Sequence, residues 1–149
     1  MSDATAPATS DGFDLQRFLT AQARGDIYDR ALDELRRGRK QSHWMWYVFP
    51  QIAGLGESTM AQRYAISSLA EAQAYVAHDV LGPRLVECAR VLVDLAGRDP
   101  VQVVGAVDSL KLRSSMTLFE RADPREPVFG EVLEQYFGGR RDPATIDRL

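Results

Sequence analysis

Apolar side chains recur at helical spacing along most of this chain, and almost nowhere do they alternate as a strand would require. Leu15, Phe18 and Leu19 open the pattern behind Asp14, a residue suited to capping a helix N-terminus, and Gly25 interrupts it. Ile27, Ala31, Leu32 and Leu35 form a second amphipathic stretch, with Gly38 where a helix C-terminus favours glycine. Ser68-Leu-Ala-Glu71 fits a capping box and predicts a helix through about Ala77. Pro83 suits a first turn, and Leu85, Cys88, Ala89, Leu92 and Leu95 share one side before Gly97. Asp99-Pro100 and Asp142-Pro143 repeat one start signal, an acidic cap followed by proline. Asp108 is placed to cap a helix running to Arg121, and Phe129 to Phe137 mark another that Gly138-Gly139 closes.

One segment breaks the rhythm. His43-Trp-Met-Trp-Tyr-Val-Phe-Pro50 has no polar face after its histidine, so it is buried on several sides. Its helical surroundings and the proline predict a buried helical turn ending before Pro50, although its β propensity is high. Residues 1–12 carry no large apolar side chain beyond the initiating methionine and are expected to form a disordered tail. Residues 13–149 are therefore expected to form a single all-α domain of about seven or eight short helices.

Composition narrows the class. A chain of 149 residues, 45% hydrophobic and 26% charged, is long enough for one well-formed core. Its net charge of −3 argues against a coat for duplex nucleic acid. No apolar run reaches the ~20 residues of a membrane helix, and no export signal opens the chain. The single cysteine, Cys88, excludes an internal disulfide and suits a reducing cytoplasm; its place on an apolar stripe makes it an inert core thiol.

Candidate chemistry concentrates in two places. At about 100° per residue, Asp108, Lys111, Leu112, Ser115, Leu118 and Phe119 share one half of a helix, with Arg113, Thr117, Glu120 and Arg121 opposite. A lysine and a serine on a core-facing stripe either satisfy each other's neighbourhood or line a pocket. In the aromatic segment, His43 is the side chain best able to move a proton near neutral pH, and Gln51 follows Pro50. Arg36, Arg37, Arg39 and Lys40 form a basic patch just before it, a solvated surface or an anion funnel. Lys40 and Lys111, the chain's two lysines, both fall in these segments. With two histidines and one cysteine, no metal site is expected, and no cofactor motif is present.

The stretches GRKQSHWMWYVFPQIAGLG, SLKLRSSMTLFERA and FGEVLEQYFGGRRDPATIDRL resemble the bacterial domain-of-unknown-function family 1810, sometimes labelled calpastatin. The resemblance runs from Phe13 to Leu149. It implies a compact helical fold and carries no activity, cofactor or catalytic residue. His43, Trp46, Phe49, Pro50, Gln51, Lys111, Ser114, Ser115, Thr117, Phe119, Phe137, Gly139 and Asp142 match its usual pattern. Cores do not require His, Gln, Lys and Ser, so these positions raise the case for a site.

The leading expectation is a small-molecule site for an anionic nucleotide-like or ADP-ribose-like ligand. Trp44, Trp46 or Tyr47 would stack a flat ring, Lys111 with Arg39 or Lys40 would meet the anion, and Gln51, Ser114 and Ser115 would orient polar groups. If bonds are hydrolysed there, His43 is the acid or base by type and Asp108 the carboxylate. Two alternatives stand beside it. One is a non-catalytic protein-interaction or regulatory module that docks through the aromatic run; the other is self-association through the Leu85–Leu95 stripe.

Overall fold

The computed structural model describes residues 12–149, so all of the expected tail but Gly12 lies outside the described residues. The chain forms a short first helix, α1 (Gln16–Ala23), and a 3-10 turn at Arg24–Asp26 that bends it into α2 (Ile27–Arg36). The aromatic segment supplies a single buried turn, α3 (Met45–Val48), which ends ahead of Pro50. A five-residue helix, α4 (Thr59–Arg63), follows; no periodic stripe announced it. Then come α5 (Leu69–Ala77), α6 (Leu81–Asp94), α7 (Pro100–Val104), α8 (Ala106–Ala122), α9 (Val128–Phe137) and α10 (Pro143–Ile146). The one extended pairing among the described residues is a parallel bridge between Ile52 and Ile66.

Several starts are capped as the sequence predicts. Ser68 accepts from the Glu71 backbone N–H at 3.2 Å, Asp99 from Val101 at 2.9 Å, and Asp142 from Thr145 at 3.3 Å. Two expected caps fail. Asp14 adopts a positive φ of 56° and Leu15 precedes the helix without a side-chain cap. Arg17 ties down the entry to the helix by a different route, donating to the Phe13 and Asp14 carbonyls and, across the fold, to those of Arg63 and Ala65. Asp108 is not a cap either: α8 begins two residues earlier, behind Gly105, and Asp108 lies in its first turn. At the end of α9, Gly138 and Gly139 have φ values of 60° and 78°, and Gly139 N–H returns to Leu133 at 2.9 Å.

The long helix α8 is the centre of the domain, covered by α5, α7, α9 and α10. From Ser114 to Phe119 every side chain is buried. The two-sided reading of this helix is thus corrected: Thr117, expected outside, is fully buried, because the segment leading into α10 lies over it. Arg113 reaches the same segment, donating to the Arg140 and Arg141 carbonyls at 2.8 and 2.7 Å. An aromatic series runs through the core, Phe18 to Tyr75 at 5.1 Å, Tyr75 to Phe119 at 5.3 Å and Phe119 to Phe129 at 6.0 Å. It joins α1, α5, α8 and α9.

The Leu85–Leu95 stripe belongs to this core as well. Leu85, Cys88, Ala89 and Leu92 are essentially inaccessible, which leaves no free face for self-association there. Burial pushes the Cys88 thiol up to about 12, so it stays protonated and inert. Gly82 is required by close approach: a Cβ there would sit 2.0 Å from the Val76 carbonyl oxygen where α5 meets α6.

Phe119 is fully buried between Tyr75 and Phe129. Phe119→Ala is expected to cost about 3–5 kcal/mol in chemical denaturation, the usual range for a large core truncation. A loss under 1 kcal/mol would show that the series does not organise the core.

Candidate functional site

A groove of about 460 Å³ opens between two walls, one built by Trp46, Gln51 and the loop through Ser58, the other by one edge of α8. Val107, Leu110, Lys111 and Ser114 form that edge at helical spacing, and Asp142 and Ala144 close the end. The volume suits a small organic molecule. Its apolar surface comes from Leu55, Val107 and Leu110, of which Val107 and Leu110 are 69% and 67% exposed.

A buried carboxylate fixes the chain ahead of the Trp46 wall. Glu34 of α2 is 5% exposed and accepts from Gln41 N–H at 2.8 Å, Ser42 N–H at 2.9 Å, Ser42 Oγ at 2.6 Å and Trp44 Nε1 at 2.8 Å. Burial alone would raise its pKa. The donors from Ser42, Gln41 and Trp44 outweigh that and bring it down to about 2. No sequence signal singled out Glu34, since an acid on the rim of an amphipathic helix ordinarily reads as solvated surface.

From this anchor a row of alternating rings and charges runs toward the groove. Lys40 places its ammonium 5.2 Å from the Trp44 ring centroid and 2.8 Å from Asp108 Oδ2. Asp108 Oδ1 lies 3.2 Å from Lys111 Nζ, which stands 4.9 Å from the Trp46 ring centroid. The Lys40, Asp108 and Lys111 side chains are 8%, 16% and 23% exposed. Two cations therefore share one anion in a largely dehydrated place, with a surplus of one positive charge beside the groove. Cation–π contact with the two indoles offsets part of the desolvation. The Trp46 indole N–H is buried with no acceptor within the protein.

The predicted residues separate on this geometry. Trp46, Gln51, Lys111 and Ser114 line the groove together, and Asp108 stands behind Lys111. His43 is exposed and outside the lining, since the turn that buries Trp44 and Met45 leaves it on the surface. Ser115 is fully buried in the core, and its Oγ has no hydrogen-bond partner within the protein. The expected hollow shared by His43, Lys111 and Ser115 is not formed. Trp44 and Tyr47, 1% and 7% exposed, are core, so neither can stack a ligand. In the basic patch, Arg36 and Arg37 pair with Glu87 and Asp33, and Lys40 turns inward to Asp108.

Ser114 carries a structural duty too. Its hydroxyl lies 3.0 Å from Asp142 Oδ2, which also accepts from Thr145 Oγ1 at 2.6 Å, while Asp142 N–H donates to Thr117 Oγ1 at 3.0 Å. Burial would raise the Asp142 carboxyl; hydrogen bonds from Thr145 and Ser114 and the Arg113 charge hold it below its usual value instead. Ser114, Thr117 and Asp142 thus lock the C-terminal segment onto α8, so two residues of the groove lining, Ser114 and Asp142, double as a latch. Among the described residues no cluster of three His, Cys, Asp or Glu side chains could hold a metal ion. No described helix is long and apolar enough to cross a membrane.

Comparison with known proteins agrees with the helical architecture. The profile of the family described as a protein of unknown function, DUF1810, matches residues 12–149. The chain belongs to the DUF1810 family. A crystal structure of the conserved hypothetical protein Rv1873 from Mycobacterium tuberculosis is similar at 52% identity, with a TM-score of 0.90, over 93% of this chain and 98% of that one. A comparison with functionally curated proteins finds no match. In this DUF1810 chain the three motif stretches meet in space: the first forms the Trp46 wall, the second forms α8, and the third closes the groove end.

Glu34 generates a pH prediction. Its folded pKa lies below the unfolded value, so its contribution is complete above about 4.5 and disappears as pH falls toward about 2. That displacement corresponds to about 3 kcal/mol. Glu34→Gln is expected to lose about that much stability at pH 7, with the gap to wild type closing between pH 4.5 and pH 2 in urea titrations. A gap independent of pH would remove the carboxylate charge from the account. Ser115→Ala is expected to be neutral or stabilising by up to about 1 kcal/mol in the same titrations, because it removes an unpaired buried hydroxyl.

Proposed function

We propose that this DUF1810 protein binds a small organic anion of the nucleotide or sugar-phosphate class in the groove between Trp46 and α8. The observation that carries the reading is the surplus positive charge at Lys111. Two lysines share the Asp108 carboxylate at 2.8 and 3.2 Å, and Lys111 is the one on the groove wall. Excess charge at low exposure is costly to maintain, and an anion arriving at Lys111 would relieve that cost. Gln51 adds a neutral donor nearby, and Leu55, Val107 and Leu110 offer apolar contact to the rest of the molecule.

Hydrolysis is left out of the proposal. His43 does not border the groove and Asp108 is held by two lysines, so the pair expected to move protons faces no common substrate position. A second reading, a non-catalytic protein-interaction module, draws on Val107 and Leu110, whose exposure leaves an apolar rim for a partner.

Differential scanning fluorimetry with AMP, ADP-ribose and sugar phosphates discriminates the two. A ligand at 100 times its Kd adds about 2.7 kcal/mol to the native state and raises Tm. Lys111→Ala is expected to abolish that rise while leaving the unliganded protein folded with a cooperative transition, since Lys40 still pairs with Asp108. Equal ligand affinity in wild type and variant would remove Lys111 from the site. No rise across the panel would favour the interaction module.

A further inference from the structure

We infer that Lys40 is a specificity-determining residue of the groove, although it does not touch it: Lys40 neutralises Asp108 so that the charge of Lys111 remains available to an anionic ligand. The inference rests on the anion-binding reading given above and adds the source of its charge selectivity.

Lys111 has its carboxylate partner one helical turn away, and an ordinary i, i+3 pair would leave the groove wall electrically neutral. A neutral wall of this kind holds an anion weakly, since the carboxylate repels what the ammonium attracts. Lys40 changes the sum. It lies outside the groove lining, with its backbone N–H on the Val103 carbonyl at 2.6 Å and its ammonium 2.8 Å from Asp108. Its contact with Asp108 is shorter than that of Lys111, and it is the more buried of the two cations. Asp108 is thereby committed to Lys40, which leaves Lys111 as the less engaged partner. The other charges on the groove do not alter this sum. Asp142 stays ionised and is offset by the Arg113 guanidinium, which lines the groove beside it, and Glu57 is exposed, where solvent screens it.

The local charge is then a variable that can be set by substitution. Wild type carries +1 on the trio, Lys40→Met brings it to 0, Lys40→Met with Asp108→Asn restores +1, and Asp108→Asn alone gives +2. Binding of AMP, with adenosine as the neutral control, is measured by isothermal titration calorimetry at low ionic strength, where charge effects are least screened. Lys40→Met is expected to weaken AMP roughly ten-fold and to leave adenosine unchanged, and Lys40→Arg to bind as wild type. The double variant is expected to recover AMP affinity and its dependence on salt. A Lys40 needed only for folding would leave the double variant as weak as the single one, and that result overturns the inference. Should Lys40→Met fail to fold, Lys40→Gln decides in its place: AMP affinity lowered roughly ten-fold supports the inference, and wild-type affinity overturns it. Lys111→Ala keeps the two proposals apart. Wild-type AMP affinity in that variant sinks the groove reading whatever the Lys40 variants do, whereas its loss together with an inert Lys40→Met sinks only the role of Lys40. Failure of wild type to bind AMP overturns both.

Discussion

The Glu34 carboxylate decides where the aromatic segment goes. A buried anion is tolerated only when its lone pairs are satisfied, and Glu34 meets that demand by drawing two backbone amides, a hydroxyl and an indole N–H onto itself. Those donors span Gln41 to Trp44, so the loop after α2 has one conformation rather than many. With Trp44 seated, the next turn must carry Trp46 outward to the groove and Tyr47 inward to Tyr64, 4.8 Å away. The same loop delivers Lys40 to Asp108. A single satisfied charge thus positions the Trp46 wall of the candidate site and the lysine that meets Asp108 behind the other wall.

The C-terminal segment is the complementary constraint. It returns over α8 and is held by Asp142, Thr117, Ser114 and Arg113, a network in which every member has a partner. This explains why Asp142 of the third motif stretch and Ser114 and Thr117 of the second belong together. Arg148 extends the closure by reaching the Gly54 carbonyl at 3.4 Å on the opposite wall. The groove is framed by elements far apart in the chain, so its shape reports the state of the whole domain and not of one loop.

Much of the architecture was readable from local signals. Ser68, Asp99 and Asp142 cap where short polar side chains accept backbone N–H groups, and Gly138-Gly139 end α9 because L side chains avoid positive φ. The helical turn stops before Pro50 because the proline ring disfavours helical backbone at Phe49. The candidate site was legible only in part. Trp46, Gln51, Lys111 and Ser114 meet on one groove, as residue type and motif suggested, whereas His43 and Ser115 do not join them.

The chain by itself determined most of its helices, several of their ends and the all-α class, since capping, periodicity and turn chemistry act within a few residues. Tertiary structure alone decided which side of α8 is outside, because Thr117 is buried by a segment twenty-five residues further on and Leu110 is left exposed by the lack of one. It also decided that Glu34 is a buried anchor and that Lys40 and Lys111 share Asp108. A side chain's charge is written in the sequence; the partners and the water that remain around it are set only when distant parts of the chain close upon it.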